Sequence, residues 1–375
     1  MTSSPVTACA VEPKVLRAAQ LSQLFTYVPD PRKARGRRHR LPVILALAVA
    51  AVATGAKSIY AIADYAADTG IGLLVQLGYP ASIVSEATFR RVIEALDAET
   101  FSLICGAWLR LRAQTIAGRL VIALDGKTVR GARAGDARAP HLVAACTHAD
   151  GVVLGQTQVD DKSNEIPATR HLLGMMNLTG VVVTMDAMHT QTETAQQIID
   201  QHGDYLLTVK ANQPSLHRAL KALPWKHIPS VAQRDLSHGR RVTRTTQAVV
   251  APAWISFPGA RQVAKVRRVR TVKGNKTVEV VYLISSTPMT DAQPAVIAAW
   301  AQGHWAIENK IHYVRDVTFD EDRSRLRTGN GPAMMAALRN LVISLHRYTG
   351  ATNIAKALRH TARHPDRALK LLLTT

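Results

Sequence analysis

Two stretches of the chain decide the fold: Leu120-Val121-Ile122-Ala123-Leu124-Asp125 and Val181-Val182-Val183-Thr184-Met185-Asp186. Each is a short, almost wholly apolar run that ends in an aspartate, as buried strands of a sheet often do. A single aspartate after a strand is most simply a turn residue or a helix cap. Its repetition after two strands makes Asp125 and Asp186 candidates for one carboxylate site.

The flanking sequence extends this pattern. Further apolar runs at residues 141–147, 152–159 and 205–209 predict three more strands. Residues 166–176 and 190–202 have the periodicity of helices. The predicted order from residue 120 is therefore three strands, helix, strand, helix, strand.

Residues 225–286 predict a β-rich insertion. Three alternating segments, residues 241–250, 262–272 and 277–284, lie within it, and Lys273-Gly274-Asn275 forms a turn between the last two. Residues 1–115 lean helical, with periodic segments at 43–53, 58–67 and 85–96. Helical periodicity returns at residues 295–314, 332–348 and 353–373. Trp254 and Trp305 are expected to be buried, with stacking on an unpaired base as the alternative for Trp254.

Composition excludes several classes of protein. The chain has 375 residues, 47 Lys and Arg against 27 Asp and Glu, and 47% hydrophobic residues, so it can build a core and is no disordered polycation. The apolar stretch at residues 41–53 is shorter than the roughly 18–20 residues that span a bilayer, which predicts a cytoplasmic protein without a membrane partner. Three cysteines without a CxxC pair argue against a disulfide framework and a structural zinc site.

The positive charge is concentrated in two clusters. Residues 32–40 hold six Lys or Arg, and residues 206–290 hold fifteen against two acids. One such run would be a solvated surface, but two within a folded chain favour a polyanionic partner, and nucleic acid is the leading candidate.

A third acid follows in Gly303-His304-Trp305-Ala306-Ile307-Glu308-Asn309-Lys310-Ile311-His312. Helical spacing places His304, Glu308 and His312 along one stripe. The two histidines are about 12 Å apart on a helix, too far for one zinc ion. With Asp125 and Asp186, Glu308 would complete three carboxylates, which suit two Mg²⁺ or Mn²⁺ ions about 3.5–4 Å apart and hence phosphoryl transfer. The histidines are expected to pack or hydrogen-bond beside Glu308 rather than act as bases.

These residues carry a resemblance to the DDE transposases of bacterial insertion sequences, in particular the H-repeat-associated (ISAs-one) group. The resemblance rests on residues 123–131 (ALDGKTVRG), 159–167 (VDDKSNEIP), 183–188 (VTMDAM), 239–240 (GR), 303–305 (GHW) and 316–322 (DVTFDED). It extends to Asp30-Pro31-Arg32 and to Thr88-Phe89-Arg90-Arg91 in the N-terminal part. Where related groups often carry Tyr and Arg before the glutamate and Lys after it, this chain has Ala301, His304 and Arg315.

The resemblance implies an α/β fold with an RNase H-like catalytic core, a mixed sheet flanked by helices, with a β-rich insertion and a helical N-terminal domain. The implied catalytic and metal-binding residues are Asp125, Asp186 and Glu308. The expected division is a helical DNA-binding region (1–115), the first part of the core (116–224), the basic insertion (225–286), the second part of the core (287–350) and a helical tail (351–375).

The implied function is metal-dependent DNA cleavage and strand transfer at the ends of an insertion sequence. Double-stranded DNA is the partner, as terminal inverted repeats and as target, with a homodimer in the DNA complex and a nucleoid-associated location. The alternatives are an RNase H-like nuclease or resolvase and a domesticated or inactive transposase-derived DNA-binding protein. The predicted DNA contacts are Arg32, Lys33, Arg37, Arg38, Lys127, Arg130, Lys162, Lys210, Arg240, Arg267, Arg268, Arg270 and Arg315. Glu165 is either a fourth ligand or neighbour of the ligands, or a glutamate that favours a helix start.

Overall fold

The computed structural model describes residues 12–80, 82–133, 135, 138–160, 163–237 and 240–374. Its internal contacts divide the chain into two compact units. The first unit comprises the described residues within Met1–Gln114, Gly126–Met176 and Ile307–Thr375, and the second comprises those within Thr115–Asp125 and Asn177–Ala306.

The strands are numbered in chain order. They are β1 (Leu120–Thr128), β2 (His141–Thr147), β3 (Val153–Gln158), β4 (Val181–Met185), β5 (Asp204–Val209), β6 (Ser230–Ser237), β7 (Arg240–Val250), β8 (Gln262–Val272) and β9 (Asn275–Ser285).

The α-helices are numbered in the same way. They are α1 (Pro13–Ala18), α2 (Leu21–Leu24), α3 (Leu41–Ala53), α4 (Ile59–Asp68), α5 (Gly70–Gln76), α6 (Glu86–Ala95), α7 (Ala98–Arg110), α8 (Glu165–Gly174), α9 (Thr192–Asp200), α10 (Pro214–Lys221), α11 (Pro294–Gly303), α12 (Gly331–Tyr348), α13 (Ile354–Ala362) and α14 (Pro365–Leu372).

The second unit is built on a mixed sheet. β1, β4 and β5 pair in parallel, and β9 continues from β5 in the antiparallel sense, followed by β8, β7 and β6. Parallel strands are buried on both faces, which accounts for their nearly continuous apolar sequences. Val121, Val182 and Leu206 of these strands pack in one core with Ile297 and Trp300 of α11.

The insertion is a long antiparallel meander. β7 pairs with β8 along its whole length, and β8 pairs likewise with β9. Lys273 (φ 46°) and Gly274 (φ 82°) both adopt positive φ at the β8–β9 turn, as a two-residue hairpin turn that follows the strand twist requires. The sequence had predicted this turn and the three strands around it. It had not separated β6, whose sequence Ser-Val-Ala-Gln-Arg-Asp-Leu-Ser is mostly polar.

The apolar stretch at residues 41–53 is the central helix of the first unit. Every residue of α3 is buried, and the helix contacts α4, α5, α12 and α14. A helix that is surrounded by others gains from apolar side chains on all sides, which explains why its sequence resembles a membrane segment. No helix among the described residues is both long and apolar enough to cross a membrane.

In the first unit, α7, α8 and α12 pack against β3 of the β2–β3 hairpin. Asn340 of α12 donates to the Gln156 side chain (2.8 Å), which donates to the Ala333 carbonyl (3.1 Å). Ser344 of α12 accepts from the Val153 amide (2.9 Å). These buried hydrogen bonds join α12 to β3.

The C-terminal helices differ from the predicted ones in two places. The segment predicted as one helix at residues 295–314 ends its α-helical part at Gly303 and continues as π-helical turns at Glu308–His312 and Val314–Thr318. The predicted tail helix is two helices, α13 and α14, because Pro365 cannot continue a helix and instead begins the next one.

The predicted fold class is confirmed. The molecule is α/β, with a mixed sheet flanked by helices, a β-rich insertion between β5 and α11, and a helical N-terminal region. Within this sheet β1 and β4 pair in parallel; Asp125 lies in β1 two residues past the last pair, and Asp186 directly follows β4.

Gly106 tests the packing of α7 on β3. A Cβ at this position would lie 1.8 Å from the Leu154 carbonyl oxygen, a backbone atom that cannot move away alone. We expect Gly106→Ala to lower the free energy of unfolding by about 3 kcal/mol, measured by thermal and urea denaturation. Gly72 of α5 has nothing within 4 Å of a Cβ, so Gly72→Ala should instead add up to about 1 kcal/mol. Equal effects of the two substitutions would contradict this packing.

Candidate active site

The second unit brings Asp125 and Asp186 to the same edge of its sheet. β1 and β4 are neighbours in parallel, with Ala123 opposite Thr184. Two residues beyond that pair, on either strand, stand Asp125 and Asp186. The Asp125 residue is half-buried, and the Asp186 side chain is 62% exposed. The parallel register therefore places the two aspartates at equivalent positions, just past the paired part of β1 and β4.

His304 supports Asp186 from the end of α11. Its Nε2 lies 3.4 Å from Asp186 Oδ1, and its Nδ1 lies 3.0 Å from the Thr184 hydroxyl. That hydroxyl donates to the Ile122 carbonyl of β1 (3.1 Å), so its oxygen accepts the Nδ1 proton of His304. The ring is thereby held by β1 and β4 together and fixes the aspartate beyond them.

Electrostatics keep Asp186 ionised. The polar contact with His304 is the largest cause that lowers the pKa of Asp186. Burial opposes this shift, and the charges of His304, Lys210 and His189 add to it. Lys210, an exposed residue just after β5, is therefore near enough to Asp186 for its charge to act on the carboxylate.

Glu308 belongs to the first unit and has a histidine of its own. His312 Nδ1 lies 2.9 Å from Glu308 Oε2, with the His312 side chain 4% exposed and that of Glu308 57% exposed. The hydrogen bond with His312 lowers the pKa of Glu308, burial opposes the shift, and the charges of His312 and Lys127 add to it. The predicted pairing of Glu308 and His312 is observed, whereas His304 serves Asp186.

Gly126, which follows Asp125, has to be a glycine because two side chains approach its Cα closely. A Cβ on Gly126 would lie 2.4 Å from both Glu165 Cδ and His141 Nε2. Glu165 Oε1 lies 2.8 Å from His141 Nε2, and His141 Nδ1 lies 2.8 Å from the Thr128 hydroxyl. Glu165 also stands at the first turn of α8, after an Asn164 side chain that accepts from the Ile166 amide. It is a helix-start glutamate that lies over the residue next to Asp125.

A buried acid was missed as a functional residue. Glu321 has a fully buried side chain between Arg315 and Arg339. Arg315 donates to both of its oxygens (2.6–3.1 Å), and Arg339 donates to one (3.0 Å) and to the Lys57 carbonyl (3.2 Å). The sequence had shown a group of acids at residues 316–322 without separating this one, because Arg339 lies eighteen residues away on α12.

Two predicted DNA contacts are engaged within the first unit. Arg315 is fully buried against Glu321, a position that does not offer its guanidinium to DNA, because the acid compensates the buried charge. Lys127 has a 9% exposed side chain and donates to Asp316 (2.6 Å). Arg130, in contrast, is 79% exposed. Lys162 lies outside the described residues.

The predicted DNA contacts in the N-terminal cluster, residues 32–40, also include one residue that is engaged within the fold and others that are exposed. Arg32 pairs with Asp30 (2.8 Å) and donates to the His39 carbonyl (2.9 Å), so it closes the loop. Lys33, Arg37 and Arg38 are exposed.

In the insertion, the strand register sorts the predicted cations by face. Arg268 stands opposite Arg244, and Arg270 stands opposite Val242. Since alternate residues share a face, Arg240, Arg244, Arg268 and Arg270 lie on one face, and Arg267 lies on the other.

Two tryptophans depart from their predicted burial. Trp305 is 62% exposed, because it follows the end of α11 in a turn, and Trp254 is 60% exposed in the loop between β7 and β8. Exposure leaves the stacking role of Trp254 open and removes the core role of Trp305.

Comparison with known proteins agrees with this arrangement. Residues 116–345 match the family model described as "Transposase DDE domain". The chain belongs to the DDE transposase family. Residues 22–109 match the model described as "DDE_Tnp_1-associated". The family acts on DNA, so this transposase is a DNA-cleaving and strand-transferring enzyme.

Named relatives are similar along most of this transposase. It is 34% identical over 343 residues to YncI of Escherichia coli O157:H7, named as a transposase, with 87% of each chain covered. It is 30% identical over 344 residues to the H repeat-associated protein YhhI of Escherichia coli K12, covering 87% of this chain and 90% of that one. A solved structure of the piggyBac transposase synaptic complex with hairpin DNA matches 96% of this chain and 80% of its own, at 11% identity and a TM-score of 0.42.

Glu321 provides a pH-dependent test. Burial raises its pKa, but the charges of Arg315 and Arg339 and the hydrogen bonds of Arg315 outweigh burial and lower the pKa to about 2. A lowered pKa in the folded state means that the carboxylate stabilises the protein above the unfolded pKa of about 4.3. That stabilisation is lost as the pH falls from there towards about 2. Glu321→Gln should cost about 3–5 kcal/mol at pH 7.

The measurement is urea denaturation between pH 7 and pH 3 for wild type, Glu321→Gln and Asp68→Asn, whose carboxylate is exposed at the end of α4. The cost of Glu321→Gln should shrink towards low pH, and Asp68→Asn should behave as wild type. A cost that stays constant with pH would show that the charge of Glu321 does not carry its contribution.

Proposed function

We propose that Asp125, Asp186 and Glu308 are the catalytic carboxylates of this transposase and that together they hold two Mg²⁺ or Mn²⁺ ions. The observation that supports this most is the parallel pairing of β1 with β4, because Asp125 and Asp186 each stand two residues past its last pair, Ala123 and Thr184. The donor set fits hard divalent cations, because carboxylate oxygens are their preferred ligands. Asp186 and Glu308 are exposed, and the pKa of each is lowered, so both offer charged oxygens.

The side chains around these acids hold them in place. His304 is fixed by Thr184 and so restricts the rotation of Asp186, and His312 does the same for Glu308. Divalent ions at such a site supply Lewis-acid activation of the attacking hydroxyl and stabilisation of the leaving oxygen in phosphoryl transfer. In our proposal neither histidine acts as a base, since each is engaged with a carboxylate. Glu165 and His141 contact each other and occupy the space beside Gly126, the residue after Asp125.

The DNA substrate is proposed to be the terminal inverted repeats of the element and then the target. We assign DNA contacts to the exposed residues Lys33, Arg37 and Arg38 in the N-terminal region and to Lys210. We assign them also to the face of the insertion that carries Arg240, Arg268 and Arg270. The five-part division of the chain, with boundaries at residues 115, 224, 286 and 350, is part of this proposal, as are a homodimer in the DNA complex and action at the nucleoid.

Asp186→Ala tests the catalytic assignment. The substitution removes one proposed metal ligand, so it should abolish cleavage and strand transfer of DNA that carries the ends of the element. Binding of the same DNA without divalent metal should be unchanged, because the carboxylate contributes no attraction to phosphates. The measurements are a gel-based cleavage assay with Mg²⁺ and an anisotropy titration without it.

Asp200→Ala is the matched control. Asp200 is an exposed acid at the end of α9 in the same unit, and its removal should leave cleavage intact. Cleavage retained by Asp186→Ala would refute the assignment, and strand cleavage without any joining of a pre-cut end would favour the nuclease alternative.

The proposed DNA-binding face of the insertion can be tested by removing its positive charges. The combined variant Arg240→Gln, Arg268→Gln, Arg270→Gln should lower the slope of log Kd against log salt by about 2–3, since each lost phosphate contact contributes about 0.9. The control variant Arg234→Gln, Arg241→Gln, Lys276→Gln removes the same charge from exposed residues of the opposite face. Equal losses for the two variants would show that net charge, and not this face, binds DNA.

A further inference from the structure

The first unit contains an arginine-lined cleft outside the carboxylate site. Its volume is about 630 Å³, and its described lining includes five arginines and a single acid, Asp322. The arginines are Arg130, Arg133, Arg323, Arg325 and Arg327. Sequence reasoning had singled out only Arg130 among them. A cleft with this excess of guanidinium groups fits an anionic ligand.

Three of these arginines recur at every second residue of one segment outside the sheet and the α-helices. Residues 323–327, here the arginine segment, read Arg-Ser-Arg-Leu-Arg and run from the last residue of the turn Glu321–Arg323 towards the start of α12. Arg323, Arg325 and Arg327 are exposed, while Ser324 and Leu326 are partly buried. This alternation leaves the three guanidinium groups accessible while the two residues between them are partly covered by the protein.

The segment is held at its N-terminal end by the buried ion pairs. Glu321 is fixed by Arg315 and Arg339. Directly beside it, the carbonyls of Glu321, Asp322 and Ser324 would lie 2.6–2.8 Å from a Cβ on Gly131. Because Gly131 has no side chain, the turn that carries Arg130 can contact the backbone at the arginine segment. That turn and the arginine segment are the two walls of the cleft.

The C-terminal end of the segment is held by α6. The Asn330 amide donates to the Glu94 carbonyl (2.9 Å), and the Asn330 side chain donates to the Leu96 carbonyl (2.9 Å). Gly329 adopts φ 52°, and a Cβ on it would lie 2.6 Å from the Glu94 carbonyl oxygen. The segment is thus fixed at both ends, so binding of a ligand does not first have to order it.

The acids near the cleft neutralise little of its charge. Arg130 lies 3.9 Å from Asp322, and Arg323 lies 3.7 Å from Asp320, with the two arginine side chains 79% and 84% exposed. Exposed ion pairs at such distances are weak, because water screens them. The guanidinium groups remain accessible to a ligand.

We propose that this cleft binds consecutive phosphates of one strand of double-stranded DNA, with Arg323, Arg325 and Arg327 on one wall and Arg130 and Arg133 on the other. The proposal rests on the proposed function, for which it adds a DNA-binding surface distinct from the catalytic carboxylates. The described lining contains no aromatic side chain, so the cleft contacts phosphates and does not stack on bases. Its contribution is independent of base sequence.

The test compares two variants of the full chain. One combines Arg323→Gln, Arg325→Gln and Arg327→Gln. The other combines Arg359→Gln, Arg363→Gln and Lys370→Gln, which removes the same charge from exposed residues at α13 and α14. Anisotropy titrations without divalent metal use two duplexes of unrelated sequence over a range of salt concentrations. Thermal unfolding of each variant verifies that the fold is intact.

The cleft variant should weaken binding of both duplexes by the same factor and lower the salt slope by about 2–3, while the control variant stays close to wild type. An unchanged slope, an equal loss in the control variant, or a loss confined to one duplex would overturn the proposal. So would displacement of the duplex by inorganic phosphate at matched ionic strength, which would indicate a site for a single free anion. A preference of wild type for RNA that the cleft variant loses would overturn the choice of DNA.

Failure of this proposal is distinguishable from failure of the proposed function. The titrations contain no metal and no cleavage step, so Asp186→Ala should bind as wild type does in them. A cleft variant that binds normally refutes the cleft alone. Cleavage retained by Asp186→Ala refutes the catalytic assignment alone.

Discussion

Glu321 has no access to solvent, and neither do the guanidinium groups of the two arginines that hold it. A buried charge is costly unless it is paired and hydrogen-bonded, and removing one member of such a group leaves the others uncompensated. Because its members come from the segment after Glu308, from α12 and from the turn before residues 323–327, one cluster fixes three parts of the first unit. Arg339 adds the loop before α4 through the Lys57 carbonyl. The position of Glu308 and the shape of the arginine-lined cleft both depend on this interaction.

Two carboxylates of the proposed active site differ from Glu321, because they are held by histidines and not by arginines. Asp186 and Glu308 are exposed, and each is supported by one histidine whose contact lowers the pKa of the acid. The two supports are built differently. His304 reaches Asp186 through a ring that Thr184 and the Ile122 carbonyl hold across two strands, whereas His312 reaches Glu308 within one π-helical turn. In both cases the acid keeps its charge and has its rotation restricted before any cation arrives, which lowers the entropic cost of binding one.

Local patterns predicted what depends on local physics. The apolar runs that end at Asp125 and Asp186 predicted β1 and β4, and the turn at Lys273 and Gly274 predicted the β8–β9 hairpin, because these depend on burial and on positive φ within a few residues. The burial of Arg315 was not predictable, since its partners Glu321 and Arg339 are brought to it by the tertiary fold. The π-helical turns after residue 307 were equally hidden, because the apolar spacing that predicts a helix does not distinguish the two forms over so few residues. The roles of the candidate carboxylates came from the family resemblance and remain a proposal.

The excess positive charge of the chain destabilises the free protein through repulsion between like charges. The insertion contains an example. Arg244 stands directly opposite Arg268 in the sheet, and its pKa is lowered first by burial and then by the charges of Arg268 and Arg240. Like charges on adjacent strands destabilise a sheet, and a more stable insertion could be made by replacing one of them with an acid. The same holds in the cleft, where five arginines meet a single acid among the described lining residues. In the proposed DNA complex this repulsion is relieved in both places, because phosphates interact favourably with cations of either group. Part of the free energy of DNA binding then arises from relief of repulsion that is already present in the free protein, and this part is screened by salt together with the direct attraction.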